Sequence, residues 1–136
     1  MRVALDTNVL ISGLLGSKGA PGRILDAWRA GHFDLVACDA LVEELKRVCA
    51  YPKLAPYLTS TEVGTLINRL RAAECWVADL PSLKASADPD DDFLLAVAQA
   101  SGADYLVTGD HAGLLVIGNI GRTQIVTAAS FVSLIE

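Results

Sequence analysis

The stretch that decides the fold is residues 2–11, RVALDTNVLI, in which a short apolar run ends abruptly at Asp6. Such a run predicts a buried strand, and the polar residues Asp6, Thr7 and Asn8 then stand where the strand ends. In parallel α/β folds, ligands bind just outside the carboxyl ends of the strands, which makes Asp6 a candidate site residue. Asp is also a good helix N-cap, so a purely structural role explains this acid equally well.

Composition restricts the kinds of protein that this chain can be. Its 136 residues suit a single domain spanning residues 1–136, and a hydrophobic content of 52% excludes disorder. The net charge of −5 argues against binding nucleic acid through a basic surface alone, although bound cations would neutralise several acids. Three cysteines without C-x-x-C spacing predict reduced thiols in a cytoplasmic protein. No apolar stretch reaches the ~18 residues that span a bilayer, so no membrane contact is expected.

Predicted strands and helices alternate along the chain, which indicates an α/β fold with a parallel sheet of about five strands and helices on both faces. The strands are predicted at residues 2–5, 33–38, 75–78, 105–108 and 123–126. The helices are predicted at residues 9–15, 21–30, 39–48, 59–73 and 89–101, with a last one capped by Thr127 or Ser130. Asp39 is expected to cap the third helix, residues 79–88 to form a loop and residues 118–121 a turn, while residues 114–117 fit a helix end or an extended piece.

Two acids stand out by their position on predicted helices. On the third helix, Glu44 lies beside the buried stripe, whereas Glu43 points to the opposite, solvated side. A carboxylate in the position of Glu44 is costly unless it reaches water or pairs with an arginine. The helix after Pro89 begins with three acids, for which the helix dipole is a sufficient structural explanation. Asp91 nevertheless heads an apolar row and points toward the core or a cleft, whereas its neighbours can stay at the surface.

Asp110 follows a predicted strand end, as Asp6 does, although a turn residue after Gly109 is the structural alternative. Two strand-end acids, one helix-flank acid and one helix-start acid can meet at one edge of a parallel sheet. Four close carboxylates repel one another, so they share protons or bind hard cations. Oxygen ligands without His or Cys favour Mg²⁺ or Mn²⁺ over zinc. The hypothesis that follows is metal-assisted hydrolysis of a phosphodiester.

Several sequence blocks in this order carry a family resemblance. They are residues 3–12, 41–45 with 51–54, 88–92 with 95–98, and 103–110, and residues 125–131 resemble a closing segment. The chain resembles the PIN domain family, and within it the bacterial branch of toxins (VapC-like) from type II toxin–antitoxin pairs. The resemblance implies a three-layer αβα sandwich and a metal-dependent endoribonuclease. By motif position it assigns catalysis, and the binding of one or two Mg²⁺ or Mn²⁺ ions, to Asp6, Glu44, Asp91 and Asp110.

The resemblance also implies neighbours and partners for this site. Polar positions that support the acids in such proteins fall on Asn8, Ser12, Asp92 and Thr108. The expected substrate is RNA, the expected protein partner is a cognate antitoxin, and the expected oligomer is a homodimer. Cys38 stands where a Ser is common, which removes no ligand. Basic residues must offset the acidic charge near the cleft, and the candidates are Arg23, Lys46, Arg47 and Lys53.

Three other interpretations remain open on the sequence. A phosphatase with an Asp nucleophile would carry Asp-x-Asp after the first strand, but Asn8 replaces the second acid. A receiver domain would need a Lys at a late strand end, where residues 108–110 have none. A catalytically degenerate domain would only bind RNA or a protein partner, and the presence of all four acids weighs against it.

Overall fold

A computed structural model describes residues 1–16, 18–73, 75–78, 89–109 and 112–136, with the side chains of residues 89–92 and 112–113 outside that description. The elements in chain order are β1 (Arg2–Leu5), α1 (Thr7–Leu15), α2 (Ala20–Arg29), β2 (Asp34–Cys38), α3 (Asp39–Cys49), a 3₁₀ turn (Ala55–Tyr57), α4 (Ser60–Arg71), β3 (Cys75–Val77), α5 (Pro89–Ser101), β4 (Tyr105–Thr108), α6 (Ala112–Ile117), β5 (Asn119–Ile120), β6 (Thr123–Thr127) and α7 (Ala128–Ile135). The predicted loop at residues 79–88 lies outside the described residues.

The strands form one six-stranded sheet in the order β3-β2-β1-β4-β6-β5. The predicted α/β class is confirmed, because all pairs are parallel except the antiparallel pair of β5 and β6. The prediction of a simple turn at residues 118–121 was wrong, because Asn119 and Ile120 form a short edge strand. Gly118 and Gly121 have φ angles of 77° and 55°, which reverse the chain on either side of that strand.

The connections diverge between β1 and β4 in the middle of the sheet. The crossover from β1 leads to β2 and the one from β4 leads to β6, in opposite directions across the sheet. Right-handed crossovers that run in opposite directions lie on opposite faces, so a crevice opens where β1 and β4 end. In keeping with this, α5 packs against β1, β2, β3 and β4. The other group of helices packs together: α1 contacts both α2 and α3, and α7 contacts α2. The described residues thus form the predicted three layers.

Side-chain caps mark the starts of α4 and α7. Thr59 and Glu62 form the predicted capping box of α4, and the Thr127 hydroxyl caps α7. The prediction that Asp39 caps α3 was wrong, because Cys38 is the N-cap and Asp39 lies in the first helical turn. The last residue of β2 is directly followed by α3, so the strand itself supplies the cap position. Residues 114–117, left undecided by the sequence, belong to α6.

Strand β1 is buried in the core on both of its faces. Val3, Ala4 and Leu5 are all buried, as expected for a central parallel strand. Phe131 of α7 packs edge-on against Phe33 at a ring-centroid distance of 5.4 Å and anchors α7 to the sheet. All three cysteines are free thiols, as predicted. Across the described part of the chain, no helix combines the length and apolar character that crossing a membrane requires.

Candidate active site

Asp6 stands at the carboxyl end of β1 and is only 5% exposed. Its backbone N–H donates to the Val107 carbonyl of β4 at 2.9 Å, so its position is fixed by the sheet. Its Oδ1 accepts the backbone N–H of Asn8 at 3.2 Å, and its Oδ2 accepts the Thr108 hydroxyl at 3.0 Å. Asp6 is therefore the N-cap of α1 and also a buried carboxylate in the crevice between β1 and β4.

Glu44 lies on the flank of α3, where the helix-face pattern predicted it. Its side chain is 20% exposed, whereas that of Glu43 is 70% exposed. The Thr7 hydroxyl donates to Glu44 Oε2 at 2.8 Å, and an Arg47 guanidinium nitrogen lies 3.7 Å from Oε1. Because Thr7 directly follows Asp6, this hydrogen bond ties Glu44 to the end of β1 that carries Asp6.

Thr7 contacts a candidate site residue, and the sequence prediction did not include it. It is buried, and its hydroxyl reaches a partner 37 residues away in the chain. Its place directly after Asp6 was the only signal available. A Thr at the start of a helix is usually explained by local hydrogen bonds, so the spacing alone did not point to Glu44.

The other predicted site residues differ in how much of each the structure describes. Asp91 and Asp92 lie at the start of α5, a helix that packs against β1 and β4, but their side chains are not described. Asp110 lies outside the described residues. Asn8 and Ser12 are exposed one turn apart on α1, and the Asn8 backbone N–H donates to Asp6.

The four basic candidates differ in their surroundings. Arg47 lies beside Glu44, whereas Lys46 pairs with the solvated Glu43 at 3.8 Å. Arg23 donates through Nε to the Glu136 carboxylate at 3.1 Å, which joins α2 to the end of α7. Lys53 is exposed. Within the described contacts, Arg47 is thus the basic residue that meets a candidate site acid.

The chemistry of the described groups fits a hard divalent cation. Asp6 and Glu44 offer carboxylate oxygens that hydroxyl groups hold in place, which are the ligand atoms that Mg²⁺ and Mn²⁺ prefer. Burial raises the pKa of the Cys38 thiol at the end of β2, which favours its protonated form. Among the residues whose side chains are described, no group of three His, Cys, Asp or Glu forms a complete cluster.

Comparison with known proteins identifies the family of this chain. The chain matches the PIN domain family over residues 2–112. It is 28% identical over 111 residues to an uncharacterized protein of Methanocaldococcus jannaschii, in a match that covers 81% of this chain and 71% of that protein. No solved structure matches the chain significantly. The resemblance inferred from the sequence blocks is thus confirmed at the level of the family. This chain belongs to the PIN domain family, whose members are generally nucleases.

Proposed function

We propose that this protein is a metal-dependent endoribonuclease that hydrolyses RNA phosphodiester bonds at the edge where β1 and β4 end. The observation that carries the proposal is the buried Asp6 carboxylate, held across the crevice by the Thr108 hydroxyl and linked through Thr7 to Glu44. The family match favours a nuclease over the phosphatase and receiver interpretations. A carboxylate preorganised by fixed donors can bind a cation without first being reordered.

The proposed site consists of Asp6, Glu44, Asp91 and Asp110 as ligands of one or two Mg²⁺ or Mn²⁺ ions. When bound, such an ion supplies charge neutralisation for the scissile phosphate and acidity for the attacking water. The Thr108 and Thr7 hydroxyls orient two of these proposed ligands, Asp6 and Glu44, which supports the proposal. Supporting positions are also proposed for Asn8, Ser12 and Asp92, with Asn8 and Ser12 on the exposed face of α1.

Cleavage with and without metal is the decisive experiment. Structured and single-stranded RNAs are incubated with the protein in Mn²⁺ or in EDTA, beside Asp6→Asn. We expect fragments only from the unaltered protein in Mn²⁺. Asn caps helices about as well as Asp, so the loss of cleavage would not reflect a lost helix cap. Asp26→Asn, which changes an exposed acid of α2, is the matched control and should cleave normally. Undiminished cleavage by Asp6→Asn would refute the assignment.

Metal titration separates the enzyme from a degenerate binding module. Calorimetry should detect Mg²⁺ or Mn²⁺ binding to the unaltered protein and much weaker binding to Asp6→Asn. RNA binding without metal binding at millimolar concentration, and without cleavage, would identify a module that only binds RNA.

The biological role proposed with this chemistry is that of a cytoplasmic toxin of a type II toxin–antitoxin pair. Support comes from the resemblance of the sequence blocks to that branch of the family. The same resemblance supports residues 1–136 as one nuclease domain, a homodimer, and a cognate antitoxin as partner. Expression of the protein with and without the product of a neighbouring gene tests the role, since only the unpaired protein should arrest growth. Light scattering of the purified protein tests the dimer.

A further inference from the structure

A row of side chains leads away from the candidate site along the last turns of α3 and just past the end of the helix. Glu44 and Arg47 lie one turn apart on α3, and Tyr51 follows two residues after the helix ends at Cys49. The guanidinium of Arg47 lies 3.7 Å from Glu44 Oε1 and donates to the Tyr51 hydroxyl at 2.5 Å. It also lies over the Tyr51 ring, 5.9 Å from the ring centroid. Arg47 thus joins the candidate site to an aromatic ring.

The groups of this row are available to a ligand and held in place. Tyr51 is 42% exposed, and the Arg47 side chain is 56% exposed. The Tyr51 backbone N–H donates to the Val48 carbonyl at 3.1 Å. The Tyr51 carbonyl accepts the N–H groups of Leu54 and Ala55, both at 2.9 Å. These backbone bonds fix the main chain that carries the ring, and the Arg47 contacts engage the ring and its hydroxyl, so less ordering entropy is lost when a ligand binds.

The segment that follows Glu44 carries a net charge opposite in sign to that of the whole chain. Residues 46–61 contain Lys46, Arg47 and Lys53 and no acid, in a protein whose net charge is −5. An exposed ring beside an exposed guanidinium is suited to an unpaired base stacked on the ring and a phosphate bound by the arginine. A duplex offers no such base, because its bases stack on each other.

We propose that Arg47 and Tyr51 form a subsite for one nucleotide of single-stranded RNA, next to Glu44, and thereby select single-stranded over duplex substrate. The inference rests on the proposed function for the position of the cut, but RNA binding tests it separately. Tyr51 stacks on the base. Arg47 binds the adjoining phosphate and keeps the ring in position.

Substitution of the ring is the first test. Binding of a short single-stranded RNA and of its duplex is measured by fluorescence anisotropy in EDTA, and cleavage kinetics are measured in Mn²⁺. Tyr51→Ala should weaken binding of the single strand about tenfold and raise KM similarly, with kcat almost unchanged. Tyr51→Phe keeps the ring and should bind nearly normally. The matched control is Tyr57→Ala, an exposed tyrosine of the following turn, which should have little effect.

Salt dependence tests the arginine. If Arg47 binds one phosphate, Arg47→Ala should reduce the slope of log affinity against log salt by about 0.7 for a single strand. An unchanged slope, unchanged single-strand binding by Tyr51→Ala, or an equal loss for duplex RNA would each overturn the inference. If the unaltered protein cuts no RNA but Tyr51→Ala still loses single-strand affinity, the proposed function fails and the subsite stands. If the unaltered protein cuts RNA and Tyr51→Ala behaves normally, only the subsite fails.

Discussion

Asp6 shows how one side chain can serve the fold and the candidate site together. One carboxylate oxygen accepts an N–H of the first turn of α1, and the other accepts the Thr108 hydroxyl from β4. The helix cap that the sequence offered as the structural alternative is thus present, and the same carboxylate also lies in the crevice between β1 and β4. Helix α1 starts where the carboxylate is held, so the position of Asp6 is determined by two elements.

Removing the Thr108 hydroxyl should be unusually costly. Thr108→Val deletes a buried hydrogen bond to a carboxylate, and we expect a loss of about 1.5–3 kcal/mol in the free energy of unfolding. Thr123→Val is the matched control, because Thr123 is equally buried but donates to the Ala103 carbonyl, for which about 0.5–1.5 kcal/mol is expected. Urea unfolding in EDTA measures both. A Thr108→Val loss no larger than that of the control would contradict this account.

Thr7 should matter for metal binding more than for folding. Thr7→Val leaves Glu44 without the hydroxyl that orients it, and loss of such a partner typically lowers metal affinity or activity by about 10–100-fold. Thr7→Ser keeps the hydroxyl and should stay close to the unaltered protein. Mn²⁺ titration calorimetry and the cleavage rate are the measurements. Equal Mn²⁺ affinity in Thr7→Val and the unaltered protein would show that Thr7 only supports the fold.

At the level of elements, α1 and α2 approach each other at a glycine. A Cβ added at Gly13 would lie 2.5 Å from Leu25 Cδ1 and 3.0 Å from the Pro21 carbonyl oxygen. Leu25 is fully buried, so it has little room to move away. Because α1 carries Asp6 at its cap, the close packing of α1 on α2 also holds the candidate site in place.

A pair of Gly→Ala substitutions tests this contact with opposite signs. Gly13→Ala should destabilise the protein by about 1–3 kcal/mol through overpacking against Leu25. Gly64→Ala lies in α4, where an added Cβ meets open space, and should stabilise it by about 0.5–1 kcal/mol through helix propensity. Thermal and urea unfolding measure the two changes. Stabilisation by Gly13→Ala would mean that the helices separate without cost.

The sequence predicted the elements that are specified locally and missed contacts between distant residues. The capping box at Thr59, the Thr127 cap and the five long strands each carry a signal within a few residues. Glu44 was distinguished from Glu43 because helical periodicity separates buried from solvated positions. The Thr7–Glu44 and Asp6–Thr108 hydrogen bonds join residues 37 and 102 positions apart, which no local pattern contains. The edge strand β5 was missed because two residues are too few to show an alternating pattern.

For the molecule as a whole, a second acid, Asp104, stabilises the end of the sheet where the strands begin, opposite to the end that carries Asp6. The Asp104 carboxylate accepts the Arg2 backbone N–H at 2.9 Å and an Arg122 guanidinium at 2.7 Å. These contacts join the start of β1 to the segments that lead into β4 and β6. The Arg2 N–H, and secondarily Arg122, lower the pKa of Asp104 below its usual value of 3.8.

The stability of the folded protein in acid should depend on the ionisation of Asp104. Its pKa is lower in the folded protein, so its contribution is fully present above the unfolded value near 3.8 and is lost as the pH falls through the folded value. Asp104→Asn should therefore be less stable than the unaltered protein at pH 7, and the difference should shrink in strong acid. Melting temperatures across pH measure this, with Asp26→Asn as the surface control. A difference that is constant down to low pH would show that charge is not involved.

The hydrogen bond between Asp6 and Thr108 has a consequence for folding kinetics. It closes a loop of 102 residues, and the strands it joins are neighbours in the centre of the sheet. Contacts between residues so distant in the chain form slowly, because the intervening segment must be ordered before they are gained. A ribosome therefore releases most of the nascent chain before Asp6 can acquire this partner. The proposed site therefore lacks the Thr108 hydrogen bond that holds Asp6 while the messenger RNA of this protein is still being read over those hundred codons.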